Sequence, residues 1–115
     1  MNKCLYMVIP CYNEEEVIES TIKILTNKIK SLIKSKKIDK NSKIVIVDDG
    51  SSDKTLEIVK KLKIKNKFLM IIKLSRNFGH QKAIYAGMME VMKEASMVIT
   101  MDADLQDDIE AIDKM

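Results

Sequence analysis

Apolar residues in this chain fall into short runs that alternate with stretches in which they recur every three or four positions. The run over residues 5–10 ends at Pro10, the only proline, and predicts a buried strand that stops there. Asn13 followed by Glu16 has the form of a capping box. Ile18, Ile22, Leu25, Ile29 and Leu32 then repeat at steps of four and three, which predicts an amphipathic helix over 14–34. Lysine-rich residues 35–42 separate it from a β-branched run at 43–47 without alternation, as a strand buried on both faces requires. Ser51 or Ser52 can cap a second helix with Leu56, Val59 and Leu62 on its apolar stripe, and residues 69–74 supply a third strand. Gly79 opens a helix to about Ala95, with Ala83, Ala86 and Gly87 placed for close packing on a sheet. Residues 97–101 form a fourth strand, and Asp107 with Glu110 marks the start of a last helix.

Strands and helices thus alternate, β-α-β-α-β-α-β-α. Buried strands joined by amphipathic helices predict an α/β fold with a Rossmann-like parallel sheet and helices on both faces. A length of 115 residues allows one such domain, spanning 1–115.

The net charge of +3 changes this picture little. Nineteen of the twenty basic residues are lysines, spread over segments that read as solvated helix faces, and no basic and aromatic residues interleave to stack bases, so nucleic acid is not an expected partner. Cys4 and Cys11 are an odd seven positions apart around one strand, point to opposite faces, and are expected to be free thiols in a reducing compartment. No apolar run approaches the roughly 20 residues that span a bilayer, and no signal-peptide pattern opens the chain. The chain is therefore expected to be soluble and cytoplasmic, without a membrane segment. The nine methionines read as core filler, Met88 and Met92 being one helical turn apart.

In an open parallel sheet ligands bind outside the carboxyl ends of the strands. Each predicted strand runs into a polar cluster there: residues 11–15, 48–53, 75–80 and 102–107. Asp102 and Asp104, two apart, can present hard oxygens to one cation, and Gln106 can add an amide oxygen. Such all-oxygen ligation suits Mg2+ or Mn2+, whereas zinc would ask for His or Cys; the alternative is that the two aspartates end a strand and cap a helix. Asp48 and Asp49 face opposite ways on an extended chain. Asp49 is the one expected to face the site, where it either accepts a nucleobase N–H or orients the turn at Gly50. Arg76 and His80 are the only arginine and histidine. Arg76 either contacts an anionic ligand or bridges a local aspartate, and His80 suits helix capping better than catalysis, since no paired nucleophile is evident. Lys82 reads as a surface residue.

The segments Val8-Ile9-Pro10-Cys11-Tyr12-Asn13-Glu14, Val47-Asp48-Asp49-Gly50-Ser51-Ser52-Asp53, Leu74-Ser75-Arg76-Asn77-Phe78-Gly79-His80 and Met101-Asp102-Ala103-Asp104-Leu105-Gln106-Asp107, in this order and spacing, resemble the family 2 glycosyltransferases. The resemblance is greatest to the branch containing dolichol-phosphate mannose synthase and the polyprenyl-phosphate glucosyltransferases. It implies the N-terminal, nucleotide-binding half of a GT-A fold, a nucleotide-diphospho-sugar donor (a UDP-sugar favoured over a GDP-sugar), and inversion at the anomeric carbon. It further implies that Pro10, Tyr12, Asn13 and Glu14 line the base and ribose pocket, that Asp49 touches the base, and that Asp102, Asp104 and Gln106 hold the metal; Asp48, Arg76 and Asp102 are counted with them as donor-site candidates. The implied acceptor is a polyprenyl phosphate or other lipid phosphate, or a glycan, bound by a half of the domain beyond Met115. Any catalytic base would lie there too, and the full-length protein is expected at the inner face of the cell membrane. One departure is visible: Asp108-Ile109 stands where the family commonly has two prolines. Competing readings are a non-catalytic nucleotide-sugar-binding module and a phosphoacceptor receiver domain, whose acidic pair Val47-Asp48-Asp49 mimics. A nucleotidyltransferase lacks support for want of a glycine-rich basic loop near the N-terminus.

Overall fold

The computed structural model describes residues 3–93, 95 and 97–101. Seven elements follow in the order β1 (Leu5–Cys11), α1 (Ile18–Lys34), β2 (Lys43–Asp48), α2 (Thr55–Lys65), β3 (Leu69–Lys73), α3 (His80–Val91) and β4 (Met97–Thr100). The last predicted helix, from Asp107, lies outside the described residues. All strands are parallel, in the sheet order β3-β2-β1-β4. The sheet is therefore built outward from β1 in one direction through β3 and then reverses to place β4 on the other side. This is the Rossmann-like arrangement expected from the alternation of elements.

The two faces follow from the two-residue period of the strands. Leu5, Met7, Ile9, Ile44 and Ile46 pack under α1 and α2 in one core, with Ile18, Ile22, Leu25, Ile29 and Leu32 of the α1 stripe and Val59 of α2. Tyr6, Val8, Val45 and Val47 point the other way, against Ala83 and Val91 of α3. Both cores meet on β1 and β2, which explains their unbroken apolar character.

Several boundaries differ from the sequence expectation for identifiable reasons. β1 does not stop at Pro10 but runs to Cys11, with Pro10 in register with Val47. Val8 accepts from the Met101 N–H on the β4 side and Cys11 from the Asp49 N–H on the β2 side. The even position of Pro10 thus turns its nitrogen toward β4, whose ladder with β1 ends at Val8 and Thr100, so no ladder bond is lost. α1 starts at Ile18 rather than Glu14, since Asn13 is left-handed (φ 54°) and its side chain serves another loop. Lys54 occupies the N-cap position of α2 in place of Ser51 or Ser52. The methionines divide: Met7 and Met101 are buried, but Met89 and Met92 expose more than half of their surface on the outer side of α3. Cys4 and Cys11 pack into different cores and are not bonded to each other.

Gly87 shows how tightly α3 is seated. A Cβ at this position would lie 2.6 Å from Val8 Cγ1 and 2.8 Å from Val47 Cγ2, so the absence of a side chain sets the helix-to-sheet distance. Gly87→Ala is expected to destabilise the fold by about 1–3 kcal/mol despite the better helix propensity of alanine, and pairing it with Val8→Ala should lessen the additional loss, as read from urea denaturation midpoints.

Candidate functional site

The carboxyl edge of the sheet is assembled by three loops that bind one another through side chains. The β1–α1 loop is latched to the β2–α2 loop. Asn13 Oδ1 accepts from the backbone N–H of Ser52 at 2.8 Å and of Asp53 at 3.2 Å, while the Asn13 N–H donates to Ser51 Oγ at 3.0 Å. The N–H groups of Glu14 and Glu15 donate to Thr55 Oγ1 and Asp53 Oδ2 at 2.8 and 3.2 Å. Asp53 Oδ1 in turn accepts from the backbone N–H and the hydroxyl of Thr55, at 2.9 and 2.5 Å. Burial is the largest single influence on the Asp53 carboxyl and acts to raise its pKa. The hydrogen bonds from Thr55 and Glu15 together outweigh it and hold the group below its ordinary value.

The acidic pair at the end of β2 is buried, and its members have different partners. Asp49 Oδ1 accepts from the Phe78 N–H at 2.8 Å and Oδ2 from the Gly79 N–H at 3.1 Å, so its carboxylate clasps the β3–α3 loop and the start of α3. Asp48 Oδ1, by contrast, meets no hydrogen-bond donor among the described residues. Gly50, at φ 75°, lets this loop approach, since a Cβ would collide with the backbone of Arg76 and Asn77. The exposed Arg76 guanidinium lies 4.8 Å from the centre of the Phe78 ring, a cation–π contact that leaves its fork of donors toward solvent. The sequence offered a ligand or a local aspartate as its partner; the ring is a partner neither alternative named.

Other predicted positions fall on the same edge. Pro10 is buried at the end of β1, Tyr12 is 45% exposed, and Glu14 is half-buried at the mouth of the β1–α1 loop. Burial, and then the negative charges of Glu14 and Asp48, push the Cys11 thiol well above its ordinary range, so it is kept protonated and unreactive. His80 is the first residue of α3, after Gly79 at φ 97°; its side chain lies outside the described residues. So do Asp102, Asp104 and Gln106. They follow Met101, which is buried and donates its N–H to Val8 at 3.1 Å at the carboxyl end of β4, where the sheet order reverses between β1 and β4. That reversal is where ligands enter folds of this kind. Among the described residues no group of three His, Cys, Asp or Glu side chains is placed to hold a metal. Ser51, Asp53 and Thr55 were not singled out from the sequence as partners of the β1–α1 loop, and no local signal could have done so, since their partners are 38–41 residues away.

Comparison with known proteins agrees with this geometry. The profile described as "Glycosyl transferase family 2" matches residues 6–115. Among curated proteins, the chain is 46% identical over 108 residues to the uncharacterized glycosyltransferase YkoT of Bacillus subtilis, covering 94% of this chain and 32% of that protein. It is 35% identical over 114 residues to the undecaprenyl-phosphate 4-deoxy-4-formamido-L-arabinose transferase of Photorhabdus laumondii, covering 98% and 33%. Among solved structures, S. aureus TarS in complex with UDP superposes with a TM-score of 0.70 at 27% identity, over 96% of this chain and 32% of TarS. A mannosyltransferase of Pyrobaculum calidifontis, in complex with GDP-Man and Mn2+, gives 0.70 at 20% identity over 90% and 28%, a likeness of fold. The chain spans about a third of the length of the curated relatives.

The clasp and the latch each generate a test. Asp49→Ala leaves two amides without their charged acceptor and is expected to lower stability by about 2–3 kcal/mol, with hydrogen exchange accelerated at Phe78 and Gly79 but not in β1. Because the Asp53 pKa is lowered in the fold, its contribution to stability is fully present above the unfolded carboxyl value of about 3.9 and is lost as pH falls through the folded value. The stability difference between the native chain and Asp53→Asn should therefore be constant near neutral pH and shrink only under acid, as followed by chemical denaturation at each pH.

Proposed function

The chain belongs to glycosyl transferase family 2, and from that premise we propose that it is the donor-binding part of an inverting, metal-dependent glycosyltransferase. It would take a sugar from a nucleotide-diphospho-sugar, a UDP-sugar in preference to a GDP-sugar, and serve transfer to a polyprenyl phosphate. The observation that carries the donor site is the buried acidic pair at the end of β2. One oxygen of Asp48 has no donor among the described residues, and each oxygen of Asp49 keeps a second lone pair after accepting one amide. A nucleobase N–H is the kind of group this edge can receive. Pro10, Tyr12, Asn13 and Glu14 would line the base and ribose pocket, with Asn13 acting through the loop its side chain already holds. Arg76, fixed over Phe78, would meet a phosphate oxygen of the donor.

UDP preference is supported by TarS, solved with UDP and with UDP-GlcNAc. The lipid-phosphate acceptor is supported by the named activity of the arabinose transferase relatives. Asp102, Asp104 and Gln106 would hold the Mg2+ or Mn2+, because an all-oxygen donor set suits either ion. Such an ion supplies positive charge against the diphosphate. In the transfer itself an acceptor oxygen forms the new bond to the anomeric carbon as the bond to the diphosphate oxygen breaks on the opposite face. A phosphate acceptor is already ionised at neutral pH and needs no strong base. The 115 residues are thus expected to bind donor, with transfer depending on the acceptor half of the longer protein. The receiver-domain reading is not carried further, since the acidic pair ends β2 rather than the first strand.

Calorimetry of the chain with UDP-glucose, UDP-GlcNAc and GDP-mannose in the presence of Mn2+ tests the reading. Binding of a UDP-sugar is expected, weakened about tenfold or more by a chelator or by Asp104→Ala. Folded protein that binds no sugar nucleotide would refute it.

A further inference from the structure

Charge is segregated across this fold. Residues 18–43 and 55–67, which comprise α1, α2, their connections to the next strands and the first residue of β2, carry thirteen lysines against three acidic residues, Glu19, Asp39 and Glu57. The remainder of the chain carries seven basic and fourteen acidic residues, so a net charge of +3 conceals stretches of opposite sign along the sequence. α1 and α2 cover one face of the sheet, and their connections to β2 and β3 lie at its amino edge, away from the loops of the candidate donor site. Binding of a sugar nucleotide therefore does not account for these lysines. Helix dipoles account for those in last turns, Lys34, Lys63 and Lys65, but not for Lys23 and Lys30 within α1, Lys60 within α2, or Lys67 beyond it.

Four of these lysines converge. A groove of about 460 Å3 between α1 and the end of α2 is lined by Lys23, Lys30, Lys65 and Lys67 together with the buried Ile22 and Phe68, and by no acidic residue. Lys23 lies 3.9 Å from Glu19, an exposed pair that competes weakly with an anionic partner. Outside this groove, Ile64 is 84% exposed and lines a second depression on α2 with Lys60, Lys61 and Glu57, and Ile24 of α1, next to Lys23 in sequence, is 47% exposed. Isoleucines left in water next to lysines gain nothing from a purely electrostatic partner, but gain burial at a lipid–water boundary.

We propose that the outer surface of the α1–α2 layer docks on an anionic phospholipid bilayer, its lysines meeting headgroup phosphates while Ile64 and Ile24 enter the acyl boundary. Nucleic acid fits this surface less well. Residues 18–67 contain no Arg, Trp or Tyr, and Phe68 is buried, so nothing there stacks on a base or forks onto a phosphate. The inference goes beyond the donor-site reading and does not rest on it.

The test is cosedimentation of the 115-residue chain with vesicles of phosphatidylcholine alone and of phosphatidylcholine mixed with phosphatidylglycerol, at low and high salt. Binding is expected only with phosphatidylglycerol and is expected to weaken with salt. Each lysine removed should lower partitioning about fivefold, so Lys23→Gln/Lys30→Gln/Lys65→Gln/Lys67→Gln together should lower it by about 100-fold or more. Ile64→Ser, at unchanged charge, should lower it about tenfold. Thermal melting of each variant monitors folding, and Lys60→Gln/Lys61→Gln carries the same comparison if the fourfold variant does not fold. Sugar-nucleotide binding should be the same in all of them, which separates this outcome from that of the donor site. Absence of phosphatidylglycerol-dependent binding, or binding insensitive to the lysine variants, overturns the proposal. Equal retention of the native chain and Ile64→Ser on vesicles, with comparable retention on duplex DNA, overturns it too, since the surface would then bind polyanions without regard to lipid.

Discussion

β1 and β2 have strands on both edges and helices on both faces, so every side chain from Leu5 to Cys11 and from Ile44 to Asp48 is buried. This double burial is the constraint on which the rest of the molecule depends. It admits only apolar residues from Leu5 to Cys11 and from Ile44 to Val47, and it requires α1 and α2 on one side and α3 on the other. Polar chemistry is thereby confined to the ends of strands. The buried Asp48–Asp49 pair stands where β2 leaves the sheet.

At that end the loops form a mutually supported unit rather than independent connections. Asn13 Oδ1 accepts from the Asp53 N–H and Asp53 Oδ2 from the Glu15 N–H, joining the β1–α1 and β2–α2 loops, and Asp49 reaches across to the amides that open α3. Gly50 makes the last contact sterically feasible. The result is a preorganised edge beside the reversal of strand order, with a buried acceptor at Asp48 that the described protein groups leave unmatched. An edge so held loses little entropy on binding a ligand of fixed shape.

The two ends and faces of the fold also divide its charge. Acidic residues gather around the carboxyl edge and the C-terminal part of the sequence, and lysines around α1, α2 and the amino edge. Net charge is blind to this division. Four of the lysines that read along the chain as a scattered solvated face converge, once α1 and α2 lie side by side, on one groove, and Ile24 and Ile64 of the same two helices are exposed.

The sequence by itself determined the order of the seven described elements, the parallel α/β class, the apolar stripe of α1 and the edge on which the polar loops collect. Each of these rests on local periodicity, on β-branched runs or on polar residues following strands, and such signals need no knowledge of what packs where. The need for glycine at position 50 was also readable, though not the neighbour that enforces it. Only the tertiary structure decided that Asn13 serves the β2–α2 loop instead of capping α1, that β1 continues through Pro10 on a side where no ladder bond is required, and that Met89 and Met92 stay in water. It alone showed that Asp49 is held by Phe78 and Gly79 while an oxygen of Asp48 is not. These outcomes depend on partners some 30 to 40 residues apart that the parallel register brings together, and no pattern within a helical turn or a strand can announce them.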